Sequence, residues 1–421
     1  MKKVISNGAS VFTVGVFLAV RQIKRASLWT TLLIIFVMVL TFLNLVVVSG
    51  ILVGLIEGSV SAYREQYSGH VYIKNLKNKD EIERTAEMVS ILKSLPQVKS
   101  YTVRLIKGGT IEANYRTRNF NESANQLAGN IAGIDPVQED LASGISRHIV
   151  EGEYLEEGDG DYILIGSNFL DQYSVVPEQI FTLLKGVTIG NKVRLSIEGI
   201  TKEYTVKGIL KSKVDDISFK VFMTDDELRK ISGSSNFNGS EIAVFLNNIE
   251  DDNYVKSVLV NNDFERNADI KTWLEAQPKF LIDIKNTFAL LGDAISSIGL
   301  VVAAVTLFIV IFINAITRRR YIGILKGIGI HEQSIEISYV LQSIFYAVIG
   351  SAIGLIVVYL VIEPALLLHP IDFPFSDGIL VAPIKGTLTK AVILIITTII
   401  AGYIPARMIV KRNTLNAILG R

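Results

Sequence analysis

The sequence predicts an α-helical membrane protein: four transmembrane helices, with a large extracytoplasmic α+β domain inserted between helices 1 and 2. Three observations carry this. With 49% hydrophobic residues and a mean hydropathy of +0.40 over 421 residues, the chain is too apolar for an ordinary soluble enzyme. Residues 28–56, 294–316, 337–362 and 387–404 are runs of Leu, Ile, Val, Phe, Gly and Ala, each matching the roughly 20 residues a helix needs to cross about 30 Å of hydrocarbon. The three segments that four spans put on one side hold 13 Lys and Arg against 2 Asp and Glu, whereas residues 57–282 hold 26 against 34. A formal charge of +1 therefore conceals a basic inside and an acidic outside.

Taken in order, residues 1–27 read as a cytoplasmic elbow. Lys2 and Lys3 ahead of an apolar run suggest a signal peptide, but "RQIKR" stands where a small-residue cleavage site belongs. Arg21, Lys24 and Arg25 before Trp29 suit a helix lying on the inner surface. Residues 28–56 form transmembrane helix 1 and a stalk, because at 1.5 Å per residue they run roughly 43 Å, longer than the hydrocarbon layer.

Residues 57–282 form the outer domain. "GHVYIKN" and "YTVRLIKGGTIEA" alternate like strands, and "KDEIERTAEMVSILKSLPQ" has helical spacing closed by Pro96. "DYILIGSNFLDQYSV" reads as strand then helix, and "NKVRLSIEGITKEYTVKGIL" as a hairpin turning near Gly199. "FKVFMTDDELRKIS" and "EIAVFLNNIEDDNYVKSVLV" each read as a strand followed by a helix capped by Asp or Asn. Two lobes are expected, with a boundary near residues 108–135, and residues 115–130 form a loop or a projecting arm.

Transmembrane helix 2 occupies 283–316 and is followed by a cytoplasmic segment at 317–336. Helix 3 spans 337–362 and breaks at Glu363-Pro364, a short outer loop covers 363–386, helix 4 spans 387–406, and 407–421 is a cytoplasmic tail.

No GK dipeptide occurs, so the chain lacks a P-loop for nucleotide phosphates. His70, His148, His331 and His369 have no recognisable zinc spacing, no serine sits in G-x-S-x-G, and cysteine is absent. The spans carry no midplane carboxylate relay, since Glu57, Asp293, Glu336 and Glu363 fall near their ends. Catalytic and metal-binding residues are not expected.

The segment "TRRRYIGILKGIGIHEQS" calls for more than a stop-transfer role. Arg318, Arg319 and Arg320 suit anionic headgroups, but Ile322, Leu325, Ile328 and Ile330 read as a short apolar stripe interrupted by Gly323, Gly327 and Gly329. Glycines let another surface approach the backbone, and an apolar stripe supplies a knob for a groove.

These residues resemble the FtsX/MacB-type ABC transporter permeases, whose arginine-rich second span leads into a coupling helix of the form R-x-x-I-G-I-L-K-A-x-G. The tail "YIPARMIVKRNTLNAILGR" is similar to that family's closing pattern. "IAGIDPVQED", "IVEGEYLEEGDGDYILIGSNFLDQYSV" and "GNKVRLSI" look like the lipoprotein-releasing (LolC/LolE) branch, as does "YTVKGILKSKVDDISFKVFMTDDELRKI". The departures are Tyr321 where the family usually has Glu, and Gly327 and Ile330 in place of the commoner Ala and Ala or Ser.

The resemblance implies a MacB-like periplasmic domain on a permease that works by mechanotransmission. Arg318, Arg320, Ile322, Gly323, Leu325, Lys326, Gly327 and Gly329 would couple to a separate ABC ATP-binding subunit, which would hold the ATP and Mg; no cofactor is expected on this chain. A second permease chain, identical or a paralogue, would complete the dimer. Asn44, Ser49, Gly50 and Gly54 form a small-residue face suited to lining a lateral cavity between paired chains or to ordinary helix packing, and "GSAIG" at 350–354 is a small-xxx-small packing pattern. The implied setting is the bacterial inner membrane, multi-pass, with both termini cytoplasmic, in contact with membrane lipids and not with nucleic acid.

Extraction of lipoproteins for a periplasmic carrier is the expected activity. Within the same machinery the alternatives are MacB-like efflux of small toxic molecules or peptides, and transmission to a cell-wall hydrolase, for which the outer domain is too large. In a different class stands a membrane-anchored extracellular sensor, which would call for a longer cytoplasmic tail.

Overall fold

In a computed structural model, residues 8–116, 123–173, 182–369, 371–373, 376–378 and 380–411 are described. The chain separates into two compact units: residues 1–56, 283–371 and 378–421 in one, and residues 57–282 with 372–377 in the other.

Among the described residues, four helices are long and apolar enough to cross a membrane: Leu28–Ser68, Lys279–Thr317, Glu332–Leu368 and Ile384–Val410, of 41, 39, 37 and 27 residues. We call them the first to fourth spans. An amphipathic helix, Gly8–Lys24, precedes them and lays Gly15 against the third span, where an added Cβ would sit 2.7 Å from Ile337 Cγ2.

All four helices outrun their apolar runs, because helical hydrogen bonding continues into polar residues that hydropathy alone leaves out. The third span begins at Glu332, not 337, with His331 Nδ1 accepting from Gln333 N as its cap. It does not break at Glu363-Pro364. A π-helical turn at Val358–Ile362 loosens the ladder, and Pro364 falls in the first turn of the continuing helix, where its missing N–H costs little. Pro405, expected at the exit of the fourth span, lies buried inside a helix that continues to Val410.

The spans pack through small residues. On the third span, Gly350 meets the first: an added Cβ would lie 2.4 Å from Met38 Cβ and 3.2 Å from its backbone carbon. Gly354 fills the same role against Phe42, and Gly402 on the fourth span fits over Ser343. Because part of this contact is backbone, Gly350→Leu is expected to lower the thermal midpoint of the detergent-solubilised chain, at a cost of about 1–3 kcal/mol. Gly350→Ala should fall between it and the unsubstituted chain, and equal midpoints for all three would refute the close packing.

Among the described residues, the second unit is built on a ten-stranded sheet. Its strands are β1 Val71–Asn75, β2 Val98–Ala113, β3 Asn125–Ile134, β4 Ile149–Gly152, β5 Tyr162–Gly166, β6 Lys192–Ile197, β7 Ile200–Leu210, β8 Lys220–Thr224, β9 Glu241–Leu246 and β10 Ala268–Thr272. The order is β10-β1-β9-β2-β3-β8-β5-β7-β4, and β6 pairs with both β2 and β7. That extra pairing closes β2, β3, β8, β5, β7 and β6 into a ring around Leu105, Ile131, Ile165, Leu195, Val206 and Met223. On the other side of β2, strands β9, β1 and β10 pack under helices Thr85–Ser94 and Asp252–Asn261 through Ile73, Met88, Leu92, Val255 and Leu259.

The expected lobe boundary at 108–135 is therefore corrected: both lobes share one strand. Residues Val98–Arg104 of β2 pair with β9, and Arg104–Ala113 pair with β3. On the edge that β9 leaves at Arg104, β6 takes over from Gly109, where an added Cβ would lie 2.8 Å from Ser196 O of β6. The stretch expected to hold the boundary is thus the middle of one strand, and Gly109 allows β6 to approach it and close the ring. Residues 117–122 of the suggested arm, and 412–421 of the tail, lie outside the described residues.

The β6–β7 hairpin forms with Glu198 and Gly199 both at positive φ. The helix expected after β5 is only a 3-10 turn, Ser167–Phe169, within the described residues. Helix Asp225–Ser232 starts after Thr224 with no side-chain cap, since Asp225 Oδ2 accepts from Arg229 Nε at 2.7 Å. Asn248 caps only the 3-10 turn Ile249–Asp251, accepting from Glu250 N, and helix Asp252–Asn261 after it has no side-chain cap.

Below β2 lies a buried ion pair that strand alternation did not announce. Arg104 and Glu139 side chains are each 1% exposed. Glu139 Oε2 accepts from Arg104 Nε and from Thr102 Oγ1, both at 2.8 Å, and Oε1 accepts from Arg104 Nη2 at 2.6 Å and Ser143 Oγ at 2.9 Å. Burial alone would raise the carboxyl; Arg104 and the hydroxyls of Thr102 and Ser143 hold it below the usual range. The helix carrying Glu139, Pro136–Ser143, is set by Asp135, whose Oδ1 accepts from Val137 N and Gln138 N.

Candidate functional site

Between the second and third spans the expected coupling segment, 317–336, holds one helix of nine residues, Arg319–Gly327. Its ends follow from sequence. Arg318 leaves the second span with φ −98°, and Gly329 at φ +94° reverses the chain into the third.

One face of this helix is packed onto its own membrane unit. Ile322 is 4% exposed, Gly323 is buried, and Leu325 and Ile330 pack against the same membrane core. Lys326 is a tether: its Nζ donates to Val410 O at 2.8 Å, an unsatisfied carbonyl at the end of the fourth span, and pairs with Glu332 Oε1 at 2.7 Å on the third. The opposite face is open. Tyr321, Ile324 and Ile328 are 66%, 53% and 71% exposed, and a Cβ on Gly327 or Gly329 would meet nothing within 4 Å. Arg320 is exposed, while Arg318 and Arg319 are half-buried.

The predicted stripe is thus corrected. Ile322 and Leu325, read as a knob for a partner, hold the helix to its own chain, and of the four stripe residues only Ile328 points outward. Each three-residue step falls short of a full turn by about 60°, so Ile322, Leu325 and Ile328 drift around the axis. Tyr321, Ile324 and Ile328, at i, i+3 and i+7, share one face. The spacing was visible in the sequence; which of two apolar faces meets the chain's own core was not.

The small-residue face of the first span is likewise used in packing. Asn44 opens a π-helical turn, Asn44–Val48, and a Cβ on Gly299 of the second span would lie 2.5 Å from Asn44 Oδ1. Ser49 faces Gly292, Gly50 O accepts from Val381 N at 3.2 Å, and Gly54 is buried. Within the single chain these four residues are buried or taken up in helix packing. Among the described residues, no cluster of His, Asp and Glu is suited to a metal.

Residues 294–414, from the apolar part of the second span to the tail, match the family model of the FtsX-like permease C-terminal domain. This segment is similar to FtsX-like permease C-terminal domains. The tethered helix with its open stripe lies inside it. The chain is also similar to two uncharacterized ABC transporter permeases of Methanocaldococcus jannaschii: 26% identical over 42% of this chain and 48% of the relative, and 25% identical over 65% of each. It therefore spans between about half and two thirds of their length. The periplasmic region of MacB from Actinobacillus actinomycetemcomitans is similar at 14% identity and a TM-score of 0.34, over 50% of this chain and 92% of that one.

Proposed function

We propose that this chain is the membrane subunit of an ATP-driven ABC transporter of the FtsX/MacB type, working by mechanotransmission. A separate ATP-binding subunit grips the helix Arg319–Gly327 and thereby moves the third and fourth spans to which Lys326 ties it. The observation that carries this reading is the two-sidedness of that helix: one face packed and tethered, the other an exposed stripe of Tyr321, Ile324 and Ile328 beside open glycines. Its relatives among ABC permeases support the reading. ATP and Mg belong to the partner, and a second permease chain, identical or a paralogue, completes the assembly in a bacterial inner membrane, with both termini cytoplasmic.

The cargo we assign is a lipoprotein drawn from the inner membrane and passed to a periplasmic carrier, on the strength of the outer-domain turns around Gly133-Ile134-Asp135-Pro136. Efflux of small toxic molecules or peptides uses the same machinery and fits the same helix.

The test is ATP turnover by a cognate ABC ATP-binding subunit, with the permease reconstituted in nanodiscs. Ile324→Asp and Ile328→Asp, each placing a charge in an interface centre, should weaken stimulation about 30-fold while leaving the chain inserted. Undiminished stimulation by both would remove the grip from this face. Release of a radiolabelled acylated protein, against extrusion of a dye, separates the two cargo classes.

A further inference from the structure

The first span is helical without interruption from Leu28 to Ser68, and its last twelve residues, 57–68, belong to the sheet unit. At about 1.5 Å per residue the whole helix is about 60 Å long, twice the hydrocarbon thickness. Its end is unusually well held.

Tyr67 is 1% exposed. Its hydroxyl donates to Glu241 Oε2 on β9 and accepts from Lys220 Nζ on β8. Its ring lies under two cations, Arg104 and Lys220, each 4.3 Å from the centroid. Its backbone carbonyl, which a helix end leaves without a partner, accepts from Arg104 Nη1 at 2.9 Å. Glu241 is further paired with Lys74 of β1 at 3.4 Å, and Arg104 with Glu139. One side chain thus touches groups from β2, β8 and β9, strands otherwise distributed between the two lobes.

The backbone is locked as tightly. The last turn, Arg64–Ser68, is π-helical, and Gly69 N closes it on Arg64 O at 2.9 Å. Gly69 then turns at φ +67° so close to β9 that a Cβ would lie 2.5 Å from Val244 O, and His70 N donates to that same oxygen at 2.8 Å. A π turn is rare and recurs at functional sites; here it sets Tyr67 at the rotation that points its hydroxyl between Lys220 and Glu241.

We propose that Tyr67 and the Arg104, Lys220 and Glu241 groups around it form a rivet that fixes both the axial position and the rotation of the first span's end on the shared sheet, so that any displacement or twist of this helix is delivered to both lobes at once. This role in force transmission rests on the mechanotransmission reading above; the lock itself does not. A helix held by packing alone can slip or turn past the sheet. One held through its carbonyl and through a hydroxyl shared between opposite charges cannot move without breaking several charge-assisted bonds together.

Hydrogen exchange on the full chain in nanodiscs tests the lock with no partner present. Tyr67→Phe keeps the ring and removes only the hydroxyl. It should speed exchange at residues 64–70 at least 10-fold while amides of β3 and β5 keep their protection. Unchanged exchange at 64–70 overturns the proposal, and so does a loss of protection spread evenly over the sheet, which would make Tyr67 an ordinary core residue. Lys220→Met should reproduce the local effect.

In the complex with the ATP-binding subunit, trapped with ATP and vanadate, the unsubstituted chain should change exchange in β8 and β9. Tyr67→Phe should abolish that change with stimulated ATP turnover retained. A retained change overturns the transmission role. If the unsubstituted complex shows neither stimulation nor a nucleotide-dependent change, the transporter reading fails instead, and the exchange at 64–70 still decides the lock.

Discussion

Glu139→Ala is expected to lower the unfolding free energy of the sheet unit by about 3–5 kcal/mol, because it strands the Arg104 guanidinium in an interior it cannot leave. Arg104 is 1% exposed and two of its nitrogens point at Glu139, so no water can replace the lost carboxylate. Against the roughly 5–15 kcal/mol that holds a typical domain together, this is about a fifth of the total or more. Unfolding in urea, followed by the fluorescence of Trp273 in a Trp29→Phe background, measures it, since the chain has only these two tryptophans.

Glu139→Gln keeps acceptor capacity and loses the charge, and should fall between. The double change Arg104→Met with Glu139→Leu should recover most of the loss but not all, because Tyr67 O and Thr102 Oγ1 each lose a partner as well. A cost below about 1 kcal/mol for Glu139→Ala would mean that the pair is solvated and that the fold does not depend on it.

Acid is expected to destabilise the same unit through Glu241. Burial penalises its charge, yet Lys220, Lys74 and Arg104 hold its carboxyl down to about 2 from the usual 4.5. The folded chain therefore binds this proton less readily than the unfolded chain. The contribution is fully present above pH 4.5 and is lost as pH falls towards 2, a difference of about 3 kcal/mol across that window. The urea midpoint should fall steeply between those limits in the unsubstituted chain. In Glu241→Gln it should be lower at neutral pH and flatter in acid. Parallel pH profiles for the two would show that Glu241 is not held ionised.

Some of this was legible along the chain and some was not. The four spans could be read because hydrocarbon selects for apolar residues over a length that one-dimensional hydropathy records, and their excess helical length could not, because polar flanks carry no such signature. The β6–β7 hairpin could be read from alternation and from Gly199, which is local chemistry. The single shared sheet could not, because β6 meets β2 across some eighty residues, and pairing at that range leaves no periodicity.

The candidate helix shows the same division. Its place after an arginine cluster, its glycines and its two apolar faces are all in the sequence. That Ile322 and Leu325 face inward, with Tyr321, Ile324 and Ile328 outward, depends on where the ends of the third and fourth spans supply a surface and a carbonyl for Lys326.

What this sequence determined alone is therefore the membrane character, the charge contrast between the short segments flanking the spans and residues 57–282, the strand and helix periods of that long region and the position of the short helix between the second and third spans, all of which are properties of near neighbours along the chain. What only the tertiary structure decided is which side of each element is spoken for: the closed ring through β2, the packed face of the short helix, and the burial of Arg104, Glu139, Glu241 and Lys220 around Tyr67. Desolvation and charge pairing are set by atoms that come together from distant parts of the chain, so a residue's type states what it can do and its surroundings decide whether it does.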